Sequence, residues 1–271
     1  MKKILVPTDF SKAAFNALEY AANLANQFSA EILLLNAYAV PNSSVMIDLT
    51  DVLKKDSLAG LEKTKKEANE LFPNLKIETI AYNGDLISSV KYCSAENNID
   101  LIVMGTTGAS GLKETFVGSN TAMLINEVKC PLLAIPKGSK YEKDLKIVVS
   151  TDLKNLGNSK VFETVKEIAR KAEHSEFHLI NVTEDLSKID PTEFILHAAD
   201  IDELFTGFEH SFHFLENNDY ESEILEYVKI HDINLLVVVS RKRSFFGRLF
   251  HKSISKTLTM HSPVPIIVLT E

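Results

Sequence analysis

The 271-residue chain has no tryptophan, only two cysteines, eight prolines and ten glycines. Cys93 and Cys130 cannot build a disulfide framework or a cysteine-based zinc cluster, and they fit reduced thiols. Glycine and proline are too few for a collagen-like or linker-rich chain. No apolar run reaches the ~18 residues of a membrane helix, and the N-terminal segment lacks the features of a signal peptide. We therefore expect a cytoplasmic protein with no membrane partner.

Positive charge is also scarce: 29 lysines and arginines stand against 37 aspartates and glutamates, which gives a net charge of −8. An acidic chain is poorly suited to the phosphate backbone of nucleic acids, so we expect no nucleic-acid partner. All eight histidines and all four arginines lie beyond residue 169. The two halves of the chain therefore differ in composition.

Strand-like and helix-like segments alternate in the first half. Strands are predicted at 3–6, 31–37, 76–82, 101–104 and 131–135, and helices from Ser11 onward and at 51–71, 86–97 and 120–126. Because a parallel crossover needs a connection of helix length, this alternation predicts a parallel sheet covered by helices on both faces.

The second half repeats this order. The segment KIVVSTD at 146–152 matches KILVPTD at 3–9, and residues 233–269 align with 99–135 without a gap. Asn36 and Asn181 occupy the same place in the second strand of each copy. The short polar segment at 138–144 separates the copies. We therefore predict a tandem duplication with domains at 1–138 and 145–271.

The most specific local pattern lies in the first copy. The tetrad Gly105-Thr106-Thr107-Gly108 follows a buried strand, and Gly118-Ser119 opens a helix. Glycine has no side chain, so it lets the backbone approach a ligand closely. Ser119 and Asn120 can cap the helix that follows, and the start of that helix presents N–H groups to an anion. Asp9 ends the first strand, so its carboxylate faces the same crevice, where it can accept from sugar hydroxyls.

Two observations argue against tight phosphate binding by these glycines. Glycine pairs between a strand and a helix also serve as simple turns, and neither a P-loop nor a Gly-x-Gly-x2-Gly pattern after a strand is present. No lysine or arginine occurs between Lys91 and Lys113. Backbone amides would then hold most of the phosphate, which predicts a modest affinity.

The spacing Gly105-x2-Gly108-x9-Gly118-Ser119 resembles the nucleotide-binding motif of ATP-binding universal stress proteins. The segments VPTDFS at 6–11 and CPLL at 130–133 are also similar to that family. The resemblance spans both halves, as in the tandem type. It implies two tandem Rossmann-like (adenine nucleotide alpha hydrolase-like) domains, each a five-stranded parallel sheet with helices on both faces.

The same resemblance implies a function and an assembly. It implies a cytoplasmic regulator of the stress response that binds ATP or AMP, with Mg²⁺ entering alongside ATP. Its protein partners are unknown regulatory proteins. It also implies domains that pair through their last strands as an internal pseudo-dimer, and homodimers of the whole chain.

Carried over residue by residue, the resemblance assigns the nucleotide contacts to the first domain. Asp9, preceded by Pro7 and Thr8, would contact adenosine, and Ala37 would line the adenine pocket. Met104 and Gly105 would flank the ribose. The phosphates would be wrapped by the remaining motif residues: Gly108, Gly118, Ser119 and Asn120.

The second copy departs from this pattern. It keeps Asp152, but the alignment puts Val239, Lys242 and Lys252 where the three glycines stand. Side chains there obstruct close approach of a triphosphate, so we expect the second domain to have lost standard nucleotide binding. Binding of a different anion by its lysines is a further hypothesis.

The remaining features favour structural roles. The pairs His174/His178 and His210/His213 have spacings that can serve metals on a helix. His178 is instead expected in a strand, and His210 and His213 in an extended stretch where residues three apart face opposite sides, so no metal site is assigned. The basic segment 241–252 is expected to be a solvated loop, and 39–49 a lid or partner surface.

Three functions stay open: a nucleotide-binding regulator, a nucleotide-independent interaction scaffold, and a slow ATPase. The sequence offers the ATPase no evident general base besides Asp9. We therefore assign no catalytic residue.

Overall fold

A computed structural model describes residues 1–39, 47–106, 119–150, 159–188, 191–240, 258–259 and 261–270. The chain divides into two compact units, Met1–Tyr141 (unit 1) and Glu142–Glu271 (unit 2). In the part of the chain described by the structure, no helix is both long and apolar enough to cross a bilayer.

Strands and helices alternate along unit 1. The strands are β1 (Lys3–Pro7), β2 (Glu31–Tyr38), β3 (Ile77–Asn83), β4 (Leu101–Gly105) and β5 (Leu132–Ile135). The helices are α1 (Lys12–Phe28), α2 (Ile47–Leu71), α3 (Leu86–Glu96) and α4 (Ser119–Glu127). Helix α1 contacts α2, and α3 contacts α4. The four helices form two layers, because crossovers to opposite sides of β1 place helices on opposite faces.

The unit 1 sheet has the order β3-β2-β1-β4-β5, and the paired strands run parallel. The central strands are the most apolar, and Ile4, Leu5, Ile102 and Val103 are completely buried. This arrangement confirms the predicted Rossmann-like α/β class.

Unit 2 has the same topology. Its strands are β6 (Asp144–Ser150), β7 (His174–Thr183), β8 (Glu209–Glu216), β9 (Leu235–Ser240) and β10 (Ile266–Thr270). In the described part of unit 2 the helices are α5 (Glu163–Lys171), α6 (Pro191–Leu204) and α7 (Tyr220–Ile230), with short 3-10 helices at Ser159–Phe162 and Leu186–Lys188. The strand order β10-β9-β6-β7-β8 is parallel throughout these pairs.

The strand registers show that the sequence repeat is a structural repeat. Equivalent pairs occur in both units: Lys3 opposite Glu31 and Lys146 opposite Glu176, then Gly105 opposite Ile135 and Val239 opposite Leu269. The gapless alignment of the two halves is therefore correct where β4 meets β5 and where β9 meets β10.

Helix α1 illustrates how the sequence positions these elements. Ser11 caps its start, and its hydroxyl accepts from the Ala14 N–H at 3.2 Å. The apolar face predicted from the sequence is buried in full: Ala14, Leu18, Ala21, Ala22 and Ala25. Ser29 ends the helix in the left-handed conformation, with φ of 51°.

The structure differs from the sequence prediction at the start of α2. The predicted helix began at residue 51 and the predicted lid covered 39–49, whereas α2 begins at Ile47. Its first turns extend beyond the packed part of the helix, since Leu49 and Val52 are exposed. Once a helix is nucleated, each further residue adds a hydrogen bond at little cost, which explains this extension. The rest of the predicted lid, 40–46, lies outside the described residues.

Candidate functional site

The carboxyl edge of the unit 1 sheet contains the point where the strand order reverses. The chain moves from β1 to β2 on one side and crosses from β3 to β4 on the other. Leu5 pairs with Ile102, and the same register places Pro7 level with Met104. In open parallel sheets, ligands bind in the crevice at such a switch point.

Six of the residues that the sequence singled out lie at this edge. Pro7 and Thr8 are buried at the end of β1, and Asp9 is exposed just beyond it. Met104 is 5% exposed in β4, while Gly105 at the end of β4 and Ala37 in the adjacent β2 are half-buried. These residues define what we call the carboxyl edge of unit 1: Pro7, Thr8, Asp9, Ala37, Met104 and Gly105.

The other four predicted residues are only partly covered by the structure. Helix α4 begins at Ser119, followed by Asn120, as the pattern predicted for a helix opening there. Their side chains, like Gly108 and Gly118 as a whole, lie outside the described residues. The predicted capping of α4 and the wrapping of phosphates therefore stay predictions.

Hydrogen bonds hold the turn that carries Asp9. The Thr8 N–H donates to the Leu35 carbonyl at 2.8 Å, which extends the β1–β2 ladder by one residue. The Thr8 hydroxyl oxygen accepts from the Phe10 N–H, and an Asp9 carboxylate oxygen accepts from the Ser11 N–H, both at 3.0 Å. Phe10 has φ of 63°, an uncommon conformation for a bulky residue. The exposed carboxylate of Asp9 is thus presented on a strained, well-bonded turn.

The other side of the edge is tied to α4. The Thr121 hydroxyl in the first turn of α4 donates to the Gly105 carbonyl at 3.1 Å. The Thr106 N–H donates to the Ile135 carbonyl at 3.0 Å. These contacts bring the end of β4 next to the start of a helix, where unpaired N–H groups and the helix dipole favour an anion.

A buried polar network, which the sequence pattern did not predict, lies below this edge. The Asn36 side-chain N–H₂ donates to the Thr8 carbonyl at 2.7 Å, and its oxygen accepts from the Ser57 hydroxyl at 2.6 Å. Thr8, Asn36 and Ser57 are 7%, 8% and 4% exposed. We call these three residues the Asn36 network. The asparagine that recurs at position 181 of the second copy was the signal that could have indicated it.

The equivalent edge of unit 2 differs at its glycine position. Val239 occupies the register position of Gly105 and is buried, with 9% exposure. Its isopropyl group stands where Gly105 carries no side chain. Asp152, Lys242, Lys252 and the predicted basic loop lie outside the described residues.

Histidines of unit 2 form a cluster on one face of its sheet. His178 in β7 and His213 in β8 stack with ring centroids 5.2 Å apart, and His231 lies 5.8 Å from His178. The Tyr227 hydroxyl of α7 lies 2.7 Å from His178 Nδ1. We call these four residues the histidine cluster. His210 faces away from it, toward Phe205 and Phe212, as the strand periodicity predicted.

Burial controls the ionisation of this cluster. It lowers the pKa of His178, although the nearby Glu176 carboxylate opposes this effect, and it lowers the pKa of His213 with help from His178 and His231. Burial also raises the pKa of Tyr227 to about 12. Among the described residues, no group of three histidine, cysteine or acidic side chains is arranged to hold a metal ion. Burial thus favours the neutral form of the His178 and His213 rings.

The cysteines occupy packing positions. Cys93 is completely buried in α3. The Cys130 thiol donates to the Ile99 carbonyl at 3.3 Å, and burial raises its pKa to about 12. A thiol in this state is a poor nucleophile at neutral pH.

The parallel sheets, their switch points and the repeated registers define a protein with two Rossmann-like domains in tandem. The universal stress protein family model matches residues 1–136 and again residues 145–270, so the chain belongs to the universal stress protein family.

Relatives match one copy or the whole chain. A universal stress protein of Methanocaldococcus jannaschii is 32% identical over 145 residues, covering 51% of this chain and 84% of that protein. Universal stress protein YxiE of Bacillus subtilis is 32% identical over 146 residues, covering 49% of this chain and 97% of that protein. A solved universal stress protein of Archaeoglobus fulgidus is similar in fold, with a TM-score of 0.71 and 23% identity over 99% of this chain and 98% of its own.

Proposed function

We propose that unit 1 binds an adenine nucleotide, ATP or AMP, at its carboxyl edge, and that the protein is a cytoplasmic regulator of the stress response. The observation that carries this proposal is the convergence of Asp9 and Gly105 on the switch point between β1 and β4. Ligand-dependent recognition by regulatory partner proteins is the mode of action.

The described residues fit the parts of such a ligand. The apolar side chains of Ala37 and Met104 would line the base, and the exposed Asp9 carboxylate would accept from ribose hydroxyls. Gly105 lets backbone come close to the sugar, and the start of α4 favours the phosphates. Mg²⁺ would enter with ATP, because it prefers phosphate and water oxygens.

Exchanging the glycine for the residue of unit 2 tests this proposal. ATP and AMP are titrated by calorimetry into the wild type and Gly105→Val. The affinity of the variant should fall by at least about tenfold, since a branched side chain occupies the path of the sugar. Unfolding curves show whether the variant is folded.

The reciprocal variant, Val239→Gly, is the matched control and leaves the affinity of the chain unchanged. Equal affinity of the wild type and folded Gly105→Val would contradict the proposal. Binding of no nucleotide by the wild type would favour the nucleotide-independent scaffold.

A further inference from the structure

The Asn36 network lies where β1 leaves its sheet. The last ladder bond of this region runs from the Thr8 N–H to the Leu35 carbonyl. The Thr8 carbonyl, by contrast, accepts from the Asn36 side chain at 2.7 Å. A side-chain amide thus continues the ladder at the point where the main chain turns away toward Asp9.

The chemistry of its partners fixes the orientation of the Asn36 amide. A carbonyl oxygen only accepts, so the N–H₂ group of Asn36 must face Thr8. The Asn36 oxygen is then left to accept from the Ser57 hydroxyl at 2.6 Å. Both polar ends of the side chain are satisfied, as burial in a low-dielectric environment requires.

This amide joins the two segments that carry the edge. Asp9 follows Thr8 directly, and Ala37 follows Asn36 directly. The peptide group between Thr8 and Asp9 is planar, so anchoring the Thr8 carbonyl also sets the direction of the Asp9 N–H and limits the path of the turn. Ser57 lies in α2, so its hydrogen bond to Asn36 extends the connection to that helix. The residue after Ser57, Leu58, is 43% exposed.

We infer that Asn36 is a positioning residue: it sets the place of the Asp9 carboxylate for the nucleotide and links that place to α2 through Ser57. This inference rests on the proposed function, because the ligand that Asp9 meets is the proposed nucleotide. Asn36 acts through the Thr8–Asp9 peptide group rather than by touching the ligand.

A double-mutant cycle between Asn36→Ala and Asp9→Ala tests the inference. Calorimetry should show that Asn36→Ala alone weakens ATP or AMP binding by about tenfold, the factor that corresponds to one buried hydrogen bond. In the Asp9→Ala background the same change should weaken binding by less than about threefold, because the carboxylate to be positioned is gone. A purely structural Asn36 would lower the melting temperature but give equal losses of affinity in both backgrounds, which would overturn the inference.

Asn97→Ala is the matched control. The Asn97 amide also donates to a main-chain carbonyl, that of Cys93 at 2.9 Å, but it lies at the end of α3, just before β4 begins. This control should leave nucleotide affinity unchanged. Ser57→Ala, a milder variant that keeps the bond to Thr8, should cause a smaller loss than Asn36→Ala and serves if Asn36→Ala does not fold.

Hydrogen exchange separates this inference from the proposed function, because it needs no ligand. The amides of Phe10 and Ser11 donate to Thr8 and Asp9 side chains. Their exchange should become about tenfold faster in Asn36→Ala or Ser57→Ala, and stay unchanged in Asn97→Ala. If the wild type binds no nucleotide, the proposed function fails, and this exchange decides whether Asn36 positions the turn. Unchanged exchange would overturn the positioning role.

Discussion

Gly105 at the end of β4 and Val239, one residue before the end of β9, hold the same register position. Gly105 has no side chain, whereas Val239 carries a branched one at the same place. We expect this difference of three carbon atoms to give the two units different access to their carboxyl edges. The sequence alone predicted this difference, because the glycine pattern needs no information about distant contacts.

The partners of Asn36 in the Asn36 network could not be predicted from the residue itself. A polar residue inside an apolar strand predicts a buried hydrogen bond, but not its partner. Ser57 lies 21 positions further along the chain, on a different element. Only the packing of α2 on β2 brings the two together, so the network could not be predicted from the pattern.

The cysteines give a prediction at the scale of single residues. Burial raises the pKa of Cys130 from 9.0 to about 12, which lowers its thiolate fraction at pH 8 about a thousandfold. Burial raises the pKa of Cys93 as well. We expect both thiols of the native protein to react very slowly with Ellman's reagent at pH 8. The guanidinium-unfolded protein should react fully within minutes, and rapid labelling of the native protein would contradict the assignment of both cysteines to packing.

At the scale of elements, apolar periodicity located the strands and helices, while their ends were set by neighbours. The repeat matches Glu176 to Glu31 and so predicts a strand from Glu176, but β7 begins two residues earlier, at His174, because it pairs with β6 from Asp144 onward. Helix α2 begins four residues before its predicted start. Strand pairing and helix propagation add polar and exposed residues to the ends of strands and helices. Neither effect leaves an apolar pattern in the local sequence.

The histidine cluster belongs to this scale, since β7, β8 and the end of α7 must come together to form it. Lys146 of β6 also lowers the pKa of His178, Glu176 of β7 raises it, and the Ser211 hydroxyl of β8 lies 2.8 Å from His213 Nε2. Spacing along the chain could not predict the cluster, because its histidines are separated by 35 and 18 positions in sequence.

The cluster predicts a pH dependence of stability. Burial holds the pKa of His178 and His213 below the ordinary value of 6.5. As the pH falls below 6.5, these histidines therefore bind protons more readily in the unfolded chain than in the folded unit. The contribution of these two histidines to the free energy of unfolding is therefore fully present above pH 6.5, and it is lost as the pH falls through their folded pKa values. We expect the melting temperature of unit 2 to drop between pH 7.5 and 5.5.

Variants assign this drop to the cluster. His213→Gln removes one of the rings, so the change in melting temperature between the two pH values should shrink by a few degrees. His174→Gln, an exposed histidine at the start of β7, is the control and should keep the wild-type pH dependence. An identical pH dependence in His213→Gln and the wild type would contradict the account.

At the scale of the whole molecule, the duplication was the most predictable feature. Matching segments such as KILVPTD and KIVVSTD predicted two copies of one α/β topology, and the strand orders of the two units agree. A parallel sheet can be predicted because its crossovers must be helix-length. The proposed functional consequence is that only unit 1 of these two units binds a nucleotide.

Native mass spectrometry of the full chain with ATP or AMP counts the nucleotides that the two units bind. We expect one bound equivalent of adenine nucleotide in the wild type and in Val239→Gly, and a much smaller bound fraction in Gly105→Val at the same nucleotide concentration. Two equivalents in the wild type would contradict the obstruction assigned to unit 2. An absence of bound nucleotide at millimolar concentration would contradict the site itself.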